Sequence, residues 1–95
     1  MMIVRADDLE HTLGTAIRAR REHEGWTRAE LADRANVSIG AVRNLELAYG
    51  ANVTTLVRVV HALGEDDWLA ALTPADEFDP FELLEPTTKQ PGRRR

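Results

Sequence analysis

The stretch GWTRAELADRANVSIGAVRNLELAYGANVTTLVRVVHALG, Gly25 to Gly64, decides how this chain folds. Thr27 followed three residues later by Glu30 is a capping box, in which each side chain satisfies the other residue's free backbone N–H. It opens a short helix that turns Leu31, Ala32 and Ala35 inward. Ser38 caps the next helix, where Val42 and Leu45 at i, i+3 supply the core stripe through about Leu47. Only Asn36-Val37 separates the two, so the connection is a tight turn. Gly50-Ala51-Asn52 then breaks the pattern, and Asn52 caps a helix in which Leu56, Val59 or Val60, and Leu63 face inward before Gly64 ends it.

Outward from this stretch the helical spacing continues in both directions. Upstream, Leu9, Leu13 and Ile17 lie four apart on one face of a helix running from about Leu9 to Glu24, with Gly25 as its stop and Arg18, Arg20 and Arg21 on its polar side. Downstream, Asp66 to Leu72 reads as a fifth helix, with acids in its first turn where they suit the helix dipole and Trp68, Leu69 and Leu72 as core candidates. No convincing period-two alternation occurs between Leu9 and Leu72, so the expected fold is all-α with five helices. The chain divides into an N-terminal arm (1–8), the helical domain (9–73), an acidic-aromatic segment (74–85) and a basic tail (86–95) whose Pro, Gly and Arg content reads as disorder.

The 95 residues are 43% apolar and 29% charged, enough for one domain with a single core and for no second one. There is no Cys, which removes disulfides, thiolate metal sites and Cys nucleophiles and suits a reducing cytosol. The longest apolar run, Trp68 to Leu72, is too short for a bilayer, and the charges right after Met1-Met2-Ile3-Val4 leave no room for a secretory h-region, so a cytoplasmic protein is expected. The net charge of −4 argues at first against nucleic acid. It is unevenly spread: residues 1–64 balance eight acids with eight Arg, residues 65–85 hold eight acids and no base, and residues 86–95 hold four bases and no acid.

Two short, separately capped helices joined by a tight turn form a helix-turn-helix, whose second helix is expected to lie in a DNA major groove. The order of Arg21, Gly25, Leu31-Ala32, Ala35, Val37-Ser38, Val42, Leu45-Glu46 and Ala62-Leu63-Gly64 resembles the Xre or Cro type of helix-turn-helix domain, over roughly residues 9–72. The resemblance implies a lambda-repressor-like bundle of five helices with a short C-terminal extension, and a transcriptional regulator, not an enzyme. With Val42 and Leu45 buried, Ile39, Gly40, Arg43 and Asn44 face outward, and in the family's pattern these are base-reading positions. Arg43 suits guanine O6 and N7, Asn44 suits adenine, Ile39 a thymine methyl, and Gly40 permits close approach. Thr27 and Ser38, at helix starts, suit phosphate oxygens, and Arg28 stands where similar proteins usually carry a phosphate-binding Gln. Arg21 and Glu46 match the positions of an ion pair that ties the first helix to the recognition helix. Ala48 stands where similar proteins commonly have Gly, so the expectation there is a turn of different build, with the helix extended to Tyr49 and ended at Gly50.

One recognition helix reads few base pairs, so a homodimer on an inverted-repeat operator of double-stranded DNA is expected, with Trp68, Leu69, Leu72, Phe78, Phe81, Leu83 and Leu84 as its apolar contact set. The same layout after helix five resembles small Xre proteins of toxin-antitoxin operons, including HipB-like antitoxins paired with HipA-like kinases. That resemblance implies the alternative of an antitoxin whose acidic segment or basic tail binds a toxin protein. No catalytic constellation, metal site, cofactor motif or membrane partner is read: His11, His23 and His61 lie at no metal-ligand spacing. Asn36-Val37-Ser38 and Asn52-Val53-Thr54 match a glycosylation acceptor but fall at helix starts, where they read as turn and cap chemistry.

Overall fold

A computed structural model of the chain describes residues 4–74. Five helices follow one another: α1 (Ala6–His23), α2 (Arg28–Ala35), α3 (Ile39–Glu46), α4 (Val53–Ala62) and α5 (Asp66–Ala70). No strand occurs among the described residues.

Local chemistry sets the helix starts. Thr27 Oγ1 accepts from the Glu30 N–H at 3.1 Å while Glu30 Oε1 accepts from the Thr27 N–H at 2.8 Å, closing the capping box of α2. Ser38 Oγ and Asn52 Oδ1 accept from the N–H groups of Ala41 and Thr55, at 3.0 and 2.7 Å, and start α3 and α4. The first helix starts earlier than its spacing predicts, at Ala6, with Asp7 and Asp8 in its first turn. Residues 6–8, assigned above to an arm, are therefore helical.

The first four helices also end alike. In each, one residue turns left-handed and two N–H groups fold back on the last turn: Trp26 to Arg21 O, Val37 to Ala32 O, Tyr49 to Asn44 O and Glu65 to Val60 O, at 2.8–3.1 Å, form the longer of the two bonds. The left-handed residues are Gly25, Asn36, Ala48 and Gly64. Ala48, at φ 61°, corrects the expected extension to Tyr49: α3 stops at Glu46, and the turn is the same as elsewhere, built without glycine. An L-residue in that conformation costs on the order of 1 kcal/mol.

The core is made by Ile17, Leu31, Ala32, Ala35, Val42, Leu45, Val59 and Leu63, with Leu13, Trp26, Val37, Leu56, Ala62 and Trp68 packed around it. Both Val59 and Val60 are fully buried, where the spacing left a choice between them. Each such side chain contributes about 1.5–3 kcal/mol. Leu9 is corrected: it is exposed, because the first two turns of α1 carry no buried residue and the helix meets the bundle from Leu13 onward. Leu72 is also corrected as a core candidate, since α5 ends at Ala70 and Leu72 is 82% exposed, while Trp68 and Leu69 are half-buried. Phe78, Phe81, Leu83 and Leu84, with the basic tail, lie outside the described residues.

Candidate nucleic-acid interface

The two faces of α3 differ completely. Val42, Leu45 and Glu46 are buried, while Ile39, Gly40, Arg43 and Asn44 are exposed along the opposite side. The four residues expected to read bases therefore share one open edge. Gly40 is informative there. A Cβ at that position would come no closer to anything than 4.0 Å from Ser38 Oγ, so no internal contact demands glycine. A helical glycine costs about 0.5–1 kcal/mol relative to alanine, and here nothing inside the fold accounts for it. Ile39, 54% exposed, likewise covers no core.

The hydroxyls of Thr27 and Ser38 act as caps through their acceptor lone pairs. Their protons remain available, so each can cap a helix and donate to a phosphate oxygen at once. Arg43 lies over the Tyr49 ring at 5.8 Å from its centroid, a cation–π distance that the left-handed turn at Ala48 makes possible by bringing the chain back beside α3.

What seats this edge is an ionic cluster beneath it. The Glu46 side chain has no exposure, and it accepts from Arg21 Nε at 2.6 Å and Arg21 Nη2 at 3.1 Å. A third nitrogen of Arg21, Nη1, donates to Trp26 O at 2.8 Å. The Arg21 guanidinium is held above its usual value first by the hydrogen bond to Glu46, against the lowering effect of burial. Arg28 adds a contact the sequence did not announce: its Nε donates to Glu46 Oε1 at 2.9 Å. One carboxylate at the end of the recognition helix thus holds arginines from both α1 and α2.

Sequence reasoning also passed over Gly14. A Cβ there would lie 2.5 Å from Glu46 O and 2.7 Å from Leu45 O, so glycine lets α1 touch the last turn of α3 backbone to side. A glycine inside a long helical run was the available signal. Arg58 of α4 donates from Nη1 to Asn36 O at 3.1 Å, tying the turn between α2 and α3 to the scaffold, and Arg34 stacks over Trp26 at 4.3 Å. Distant pairing of this kind leaves no local pattern. His61 Nδ1 lies 3.1 Å from Asp66 Oδ1 on the surface, and among the described residues no group of His, Cys, Asp or Glu could hold a metal ion. No helix among them is long and apolar enough to cross a membrane.

A capped pair of short helices, the second presenting a hydrogen-bonding edge above a seat of buried apolar side chains and an enclosed ion pair, defines a DNA-binding domain of the helix-turn-helix class. Residues 17–68, more than half of the chain, match the family model described as helix-turn-helix, and the chain belongs to that family, in its Xre-like form. It is a DNA-binding transcriptional regulator, of a regulatory and not an enzymatic family. No curated protein and no solved structure matches the chain significantly.

Proposed function

We propose that the protein is a repressor that binds an inverted-repeat operator as a dimer, reading bases through Ile39, Gly40, Arg43 and Asn44 and holding phosphates through Thr27, Arg28 and Ser38. The observation that carries this reading is the open edge of α3, above all a helical glycine that no internal contact requires. Charge supports it: residues 11–58 hold seven Arg against five acids, so the acidity of the whole chain belongs to the segment that follows. Two copies place their recognition helices about one helical repeat apart, roughly 34 Å. The contact surface is sought at Leu72, an almost fully exposed leucine, with Trp68 and Leu69 beside it and Phe78, Phe81, Leu83 and Leu84 further on.

A gel shift with the operator tests the edge: Arg43→Ala and Asn44→Ala should each weaken binding by about 1–3 kcal/mol and relax preference at one base pair. Unchanged binding in both variants would remove the major-groove assignment. Sedimentation of Leu72→Glu tests assembly, since a charge at an exposed position spares the fold, and a persistent dimer would take Leu72 out of the interface.

The second reading is an antitoxin that neutralises a toxin protein and represses its own operon. The eight acids without a base in the sequence of residues 65–85 favour it, as a charge that suits a basic partner. Co-purification with the product of the adjacent reading frame, lost when Asp76, Glu77, Asp79, Glu82 and Glu85 are replaced by amides while Glu65, held by Arg20, is kept, is the expected result, and retention of the partner by that variant counts against it.

A further inference from the structure

The cluster around Glu46 is not balanced. The enclosed Glu46 faces the guanidiniums of Arg21 and Arg28, and Glu22, 3.9 Å from Arg21 Nη2, is itself paired with Arg18 at 3.1 Å, so three guanidiniums meet two carboxylates and one positive charge is in excess. Arg21 is committed to the interior, with Nε and Nη2 on Glu46 and Nη1 on Trp26 O. The excess charge reaches the surface through Arg28, whose side chain is 29% exposed. Its Nε is held by Glu46, and among the described residues its two terminal nitrogens make no hydrogen bond.

Position matters as much as charge. Arg28 is the first residue of α2, beside the Thr27 cap, and Glu46 is the last residue of α3. Arg43 and Asn44 lie within one turn of Glu46. A single guanidinium therefore links the exposed start of one helix to the turn that carries the base-reading side chains of the next.

We propose that Arg28 is a positioning residue for base readout: its Nε fixes Glu46 while its terminal nitrogens take a DNA phosphate oxygen. Anchoring on the backbone and seating of α3 then share one side chain. This rests on the operator-binding reading above and gives Arg28 a duty beyond a phosphate contact. Guanidinium suits the task because its N–H groups are fixed in a planar fork, so Nε and the outer nitrogens can address two anions on different edges. An ammonium carries the same charge as a point with no such geometry. The excess positive charge favours an anion at the outer edge, and that anion in turn lets both arginines stay close to Glu46.

The test uses the full chain, a duplex enriched by the wild-type protein from a randomised pool, and an unrelated duplex as the non-specific probe. Arg28→Lys should retain the salt slope on both duplexes while its preference for the enriched duplex falls about tenfold, a loss typical of coupled neighbours. Arg28→Gln should lower the slope of log affinity against log salt by about two units, the loss of one phosphate contact in each copy of the dimer. Circular dichroism melts confirm that each variant is folded at the assay temperature. Wild-type preference in Arg28→Lys overturns the proposal and leaves Arg28 a mere phosphate charge; an unchanged slope in Arg28→Gln overturns it by removing the phosphate. Failure of the wild-type protein to enrich any duplex removes the operator reading and this proposal with it, so the two failures are told apart.

Discussion

Helix α3 meets a glycine on each of its two sides, one belonging to α1 and packed against it, the other its own and left open. Gly14 of α1 presses on the carbonyls of Leu45 and Glu46, where a methyl group would collide at 2.5 Å. Gly40, on the outer edge, has open space around it. Both are helical and both sacrifice helix propensity, for opposite reasons. At Gly14 the tertiary fold itself takes up the freed space. At Gly40 the fold uses nothing, and the space stays open. The inner side of the helix is a packed seat, and the outer side is the open edge to which base reading is assigned in our proposal.

The strongest way to break the inner side is Arg21→Ala. It leaves the enclosed Glu46 with Arg28 alone, and the expected loss is about 3 kcal/mol, the low end for a broken buried pair. Urea unfolding measures it. The loss should not vary between pH 6 and 9. A base whose folded pKa is raised contributes fully below its unfolded value, and the contribution goes only as pH climbs through the folded one. For a guanidinium held up by Glu46 both lie far above this window.

Gly14→Ala comes next. Backbone carbonyls cannot swing aside like a side chain, so α1 and α3 must part, at a cost of about 2 kcal/mol after the better helix propensity of alanine is counted. Gly40→Ala sharpens the contrast by going the other way: it should stabilise the protein by about 0.5 kcal/mol, since the position lies in the first turn, while weakening operator binding. A variant that is both more stable and fully competent for DNA would erase the distinction between the two glycines. A gain of about 0.5–1 kcal/mol is also expected for Ala48→Gly, which relieves the left-handed strain at the end of α3. The smallest effect belongs to the exposed corner between α4 and α5, where Asp66→Asn should change stability by less than about 0.5 kcal/mol.

The elements that could be read in advance share a property. Thr27 with Glu30, Ser38 with Ala41 and Asn52 with Thr55 are partners three residues apart, so the code for each helix start lies wholly in a local window. The outward face of α3 follows from Val42 and Leu45 by helical geometry alone. Leu9 failed by the same logic: spacing assigns a face, but only the neighbouring helices decide how far along α1 that face is covered. Ala48 failed because its left-handed turn is imposed by bonds from Ala48 and Tyr49 back to Leu45 and Asn44, against the preference of the residue itself.

The sequence by itself determined the number and type of helices, the caps of α2, α3 and α4, and which side of α3 is turned away from the core. Each follows from interactions that close within one or two helical turns. Only the tertiary structure decided that Gly14 admits α3 and that Arg28 joins the expected partner, Arg21, on Glu46. Those contacts join residues 18 to 32 positions apart, and such meetings exist only once the core has brought the helices together.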